Sequence, residues 1–307
     1  MAASTVRPRN RPLPALSRRL LAWVVSAVLT ISMVIGIVLV ADQSPRRPRQ
    51  LRARSASLLA RLSVPGAIVA DLDAFGVPIF TADDHTPRYA VTCTKMWGRC
   101  SLERQAVPVP DDARPAPGSD GALVVVEPGR QLAYEFWRAR KVRGRWTAAW
   151  GAVVDLTTDP MHSSATGSGI SRLYGVVRAS EIAAGEISHP LVFSSNLTCR
   201  QVFVPPATKT DGTSSDPGCI PEGTRLMLDP TISIDDLPGI TSGERTVGHA
   251  LQRYGAYCVD TGGAPVALIF ERVAGNAAYT HAALKWDYFG LTHIPAAFRV
   301  AEATAGP

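Results

Sequence analysis

Four acids stand in segments where a glycan bond could be cut: Glu135, Asp155, Asp211 and Glu222. Glycoside hydrolysis uses two carboxyl groups flanking the scissile bond, about 5–5.5 Å apart for retention and about 6.5–9.5 Å for inversion. Glu135 falls in LAYEFWRA, Asp155 closes GAVVD, and Asp211 and Glu222 lie in KTDGTSSDPGCIPEG. No local motif pairs two of them, and Asp211-Gly212 and Glu222-Gly223 also suit plain turns. A polysaccharide lyase instead needs a base and a cation beside a uronate. His189 and Tyr254, with Lys209 or Arg253, have the right chemistry for that, although a strand-edge histidine and a core tyrosine explain the same residues. Trp137, Lys209 and Tyr254 are the ligand-binding candidates. Glu135→Gln is the substitution expected to abolish turnover if Glu135 is the catalyst.

Other chemistries find no support. Gly167-Ser168-Gly169 lacks the strand–turn–helix setting of a nucleophilic serine. No P-loop, GxGxxG or HExxH occurs, which argues against nucleotide and zinc-protease chemistry. The Cys and His spacing does not suit zinc, a lone loop histidine such as His85 is ordinarily solvated, and neither a metal nor a cofactor is expected.

The elements that must position these residues are mainly strands. In Gly118–Leu156, the runs ALVVVE, LAYEFWRA and RWTAAWGAVVDL are separated by Glu-Pro-Gly-Arg and Lys-Val-Arg-Gly-Arg. β-Branched and aromatic residues bounded by Gly and Pro read as an antiparallel meander. Alternation puts Ala133, Glu135 and Trp137 on one face and Leu132, Tyr134 and Phe136 on the other. LTTDPMHSSATGSG follows as a polar loop of the kind that lines a site. ASEIAAGEI predicts a short helix capped by Ser180, and TSGERTVGHALQRY a second helix stopped by Gly255. AYCVD and PVALIFE, joined by Thr261-Gly262-Gly263-Ala264, read as a hairpin. The fold class expected is mostly β: an antiparallel β-sandwich or jelly-roll-like domain with one or two short helices, preceded by a single N-terminal transmembrane helix.

Charge is divided unevenly along the 307 residues. Residues 1–61 hold eleven Arg and one acid, so the formal net charge of +6 leaves −4 on residues 62–307. A mildly acidic body lacks the electrostatic footprint of a nucleic-acid binder. Leu20–Ala41 is free of charge and reaches the roughly 20 residues that a membrane span needs. The expected organisation is a basic cytoplasmic tail (1–19), a single-pass membrane anchor (20–41), an Arg/Pro-rich stalk (42–64) and an extracytoplasmic β-rich domain (65–307). Cys93 with Cys100, and Cys199 with Cys219, bracket loop-like sequence and form the simplest disulfide pairing of an exported domain, leaving Cys258 in an apolar strand.

Three stretches, ISRLYGVVRASEIAAGEISHPLVF, KTDGTSSDPGCIPEGTRLMLDP and ALQRYGAYCVDTGGAP, carry a resemblance. Across roughly Asp71–Phe270 the chain resembles a group of secreted or membrane-anchored actinobacterial proteins with no established reaction. It departs from them at Pro205-Pro206-Ala207, where relatives often have Trp-Pro-Ala. The resemblance implies a carbohydrate-related jelly-roll domain. Three functions follow as expectations: binding of a cell-wall or environmental glycan, cleavage of a polysaccharide by hydrolysis or elimination, or scaffolding of a protein partner in the envelope. Convergence of two carboxylates in one cleft separates the second from the others.

Overall fold

The computed structural model describes residues 56–301 except Asn276. The described residues belong to one compact unit. The segment read as a transmembrane helix, 20–41, lies outside them. Among the described residues no helix is long and apolar enough to cross a membrane.

The unit is mostly β, with several sheets and four short helices, consistent with a sandwich-like fold. A five-stranded sheet carries the expected meander: Leu123–Glu127, Leu132–Trp137 and Trp150–Asp155 are antiparallel neighbours. The third run breaks at Ala149, and its first part, Arg145–Ala148, joins a four-stranded sheet instead. The two sheets face each other. Leu123, Val125, Tyr134 and Phe136 from one meet Val91, Val107, Trp146 and Ala148 from the other in a closed apolar core. Alternation thus turns Tyr134 and Phe136 into this core and Ala133 and Glu135 to the opposite face.

A seven-stranded sheet forms the second half. It runs in the spatial order Phe289–Gly290, Ile68–Ala70, Val266–Leu268, Leu191–Ser195, Ala256–Thr261, Arg225–Leu228 and Phe298–Val300. Its core includes Leu191, Phe193, Leu226, Cys258 and Leu268 from the strands and Val247 and Leu251 from the helix Ser242–Arg253. Thr241 caps that helix: its hydroxyl accepts from the Glu244 N–H, while Glu244 accepts from the Thr241 N–H, which satisfies two otherwise orphaned donors. Helix 56–62, at the end of the segment read as stalk, buries Leu58 and Leu62 in the same core, so the fold begins ahead of Pro65.

Three expectations are corrected. The sheets are not purely antiparallel: Ile68–Ala70 with Val266–Leu268, Leu191–Ser195 with Ala256–Thr261, and Val77–Thr81 with Leu123–Glu127 pair in parallel. Ala256–Thr261 and Val266–Leu268 are not a hairpin, because Leu191–Ser195 lies between them and pairs with both. The helix Ala179–Ala184 starts after Arg178, not at Ser180, and Glu181 accepts the Arg178 N–H at 2.9 Å.

Both expected cysteine pairs are at disulfide bonding distance, with Cα–Cα separations of 6.5 Å for Cys93–Cys100 and 5.0 Å for Cys199–Cys219, and Cys258 is free and buried. Two such pairs are consistent with an extracytoplasmic protein.

Candidate functional site

The site is built where the two halves of this unit meet, and its geometry begins with an irregularity. Between Leu191–Ser195 and Ala256–Thr261 the register shifts: Phe193 opposes Cys258, but Ser194 opposes Asp260. Val259 is the extra residue of a bulge. Strict alternation would turn Asp260 to the helix side with Cys258, and the bulge re-aims it to the opposite face. There it lines a cleft of about 780 Å³ together with Trp97, Trp137, Trp150, Lys209 and Asp211.

Asp260 is held from two sides. Its Oδ1 accepts the Gly167 N–H at 3.1 Å, and its Oδ2 accepts Arg172 Nη2 at 3.2 Å. Burial nevertheless dominates, and pushes its pKa up to about 7. Asp211 comes from the long loop after Phe203, and its Oδ1 accepts the N–H and hydroxyl of Thr261 at 3.2 and 2.7 Å. Glu222 lies beneath it, fully buried, and accepts the Asp211 N–H at 3.3 Å. Burial first, and then the Asp211 carboxylate, push Glu222 up to about 9, so it holds its proton at neutral pH. One carboxylate oxygen from each of Asp211, Glu222 and Asp260 lies within 4.8 Å of the others. The proximity of the acids adds to burial, the larger cause, in keeping protons on Glu222 and Asp260.

The polar loop 156–171 closes one side. The Ser168 N–H donates to the Val259 carbonyl at 2.9 Å, and the Thr208 N–H to the Ser168 carbonyl at 2.9 Å, so the loop is tied to both the strand and the long loop. A Cβ on Gly167 would stand 2.4 Å from Asp211 Oδ1, so only glycine permits this approach.

The aromatic wall has three members. Trp97 stacks on Trp137 with centroids 5.5 Å apart and 24° between planes, and lies 6.3 Å from Trp150. Trp137 donates to Asp120 Oδ1 at 3.1 Å, and the Arg138 guanidinium sits 4.4 Å from its ring centre. Trp97 is 62 % exposed, in the six-residue loop between Cys93 and Cys100. Stacked and tilted tryptophans beside carboxylates can present apolar surface to a sugar ring while leaving its hydroxyls to polar groups.

The residues singled out by sequence divide into those brought together here and those placed elsewhere. Asp211, Trp137 and Lys209 line the cleft, and Glu222 lies directly under Asp211. Glu135 is fully buried behind the cleft: its oxygens accept from Ser164 Oγ, from the Ala165 N–H at 3.3 Å and from Ser171 Oγ at 2.6 Å. It therefore fixes the loop that carries Gly167. Glu135→Ala is expected to cost about 3 kcal/mol, because it strands several buried donors; urea denaturation measures it. Asp155 caps its own turn, accepting from Thr157 and Thr158, which holds its carboxyl well below the usual range. His189 joins Glu181 at 2.8 Å and Tyr254 lies against Arg253, both away from the cleft. Trp97, Trp150, Asp120, Arg172 and Asp260 were not reachable from sequence. The one available signal was Asp260 ending an apolar strand next to a Gly-Gly turn.

Comparison with protein-family models, with curated proteins and with solved structures finds no match to this chain.

Proposed function

We propose that this domain cleaves glycosidic bonds in a polysaccharide, with Asp211 and Asp260 addressing the bond and the three tryptophans holding the sugar. The observation that carries this reading is the convergence of Asp211 and Asp260 in one tryptophan-walled cleft. A carboxyl pushed up to about 7 retains a proton to give to a leaving oxygen. Asp211, with Glu222 beneath it, is the partner placed to act as nucleophile or base.

Binding without cleavage is the second reading, favoured by the anchoring of Asp211 on Thr261 and of Asp260 on Arg172. In either case the domain acts outside the membrane, held there by the anchor proposed for residues 20–41, and belongs with the actinobacterial group it resembles. The deciding experiment is an assay of the protein against cell-wall and plant polysaccharides, following new reducing ends and retention on insoluble polymer. New ends support cleavage; retention alone supports recognition; neither shifts the weight to a protein partner. Trp97→Ala is expected to weaken retention about tenfold, or about 1.4 kcal/mol, without lowering Tm, because the ring is mainly exposed. An unchanged affinity removes Trp97 from the binding surface.

A further inference from the structure

A second cavity, of about 220 Å³, opens beside the cleft and shares Asp120, Asp260 and Thr261 with it. Its apolar wall is formed by Val69, Val77, Ala122 and Ala267, and the exposed rings of Phe75 and Tyr288 belong to its lining. One cation belongs to this wall. Arg172 is 4 % exposed; its Nη2 donates to Asp260, and its Nη1 has no partner. A buried guanidinium donor without an acceptor is unusual, since native structures pair such groups.

We propose that this cavity receives an acyl substituent of the sugar bound in the cleft, an amide or ester whose apolar tail meets the aliphatic walls and whose carbonyl faces Arg172. The inference rests on the glycan reading of the cleft and names the substrate class as an acylated sugar. A neutral carbonyl fits better than a carboxylate, because the acidic side chains of Asp71 and Asp120 line the same cavity and oppose a further negative charge. It also fits better than a bare hydroxyl, which leaves the aliphatic walls wet. Asp71 is itself engaged, accepting the N–H groups of Asp73 and Ala74 at 3.1 and 2.7 Å.

Two probes test this on the full chain by calorimetry: acetanilide alone, and N-acetylglucosamine oligomers against their deacetylated counterparts. Acetanilide is expected to bind, and the acetylated oligomer to bind at least about tenfold more tightly than the deacetylated one. Ala267→Phe, which fills the cavity from a partly exposed strand position, is expected to abolish acetanilide binding and the acyl preference while unacylated binding remains. Tyr288→Ala, at a side chain 63 % exposed, keeps the test open should Ala267→Phe fold poorly, and is expected to weaken acetanilide several-fold. Absence of acetanilide binding, or an acyl preference that survives a folded Ala267→Phe, overturns the inference. Acetanilide binding that Ala267→Phe abolishes, without affinity for any oligomer, leaves the cavity assignment supported and overturns the glycan reading alone.

Discussion

Asp260→Asn is expected to lower kcat for polysaccharide cleavage about a thousandfold, with KM changed less than about threefold. The amide keeps the volume and can still accept the Gly167 N–H, but it has no proton to give to a leaving oxygen. The wild-type rate is expected to fall as pH rises through about 7, where Asp260 loses its proton. Asp211→Asn is expected to be as severe, by removing the charge that must attack or activate water. Retention of more than about a tenth of the rate by Asp260→Asn excludes Asp260 as the acid, and a pH profile that stays flat across pH 6–8 does the same.

The second large effect concerns stability. Glu222 and Asp260 have folded-state pKa values raised from 4.5 to about 9 and from 3.8 to about 7. Between the unfolded and folded values the native state binds more protons than the unfolded chain, so stability decreases as pH rises. Their contribution is complete below about pH 4, falls through neutral pH, and is lost once pH passes about 9. A loss of roughly 5–8 kcal/mol between pH 5 and pH 9, or a Tm fall of more than about 10 °C, is expected from thermal melts. Glu222→Gln should flatten much of that slope, because a glutamine in the same site has no proton to lose. A wild-type Tm that holds steady or rises from pH 5 to pH 9 contradicts the proton-sharing arrangement.

Much of the scaffold was legible in the sequence because it rests on local rules. The meander follows from β-branched runs broken by Gly and Pro, the split of Tyr134 and Phe136 from Glu135 follows from alternation, and the helix Ser242–Arg253 follows from its apolar stripe and the glycine that stops it. The cysteine pairs followed from spacing. What was not legible is non-local. Nothing in AYCVDTGGAPVALIFE reveals that Leu191–Ser195 inserts between its two strands, since a short Gly-rich link is the usual mark of a hairpin. The role of Asp260 depends on a bulge defined only by the partner strand, and a period-two reading sends the side chain to the wrong face. Glu135 shows the converse: a carboxylate beside a tryptophan on a strand suggests a cleft, yet the serines that enclose it arrive about 30 residues later in sequence. Asp211 and Trp137 were found because residue type alone marks them.

Trp97 is tethered at both ends by the Cys93–Cys100 pair, while the carboxylates stand on strands and on a loop of the other half. Asp211 is tethered in the same way, on the loop that the Cys199–Cys219 pair closes, so both sides of the cleft are tied by oxidation. A chain held in a reducing compartment has both loops untied, the one that carries Trp97 and the one that carries Asp211. Completion of the cleft is thereby coupled to the oxidation of two cysteine pairs, and a reductant is expected to loosen both of its sides together.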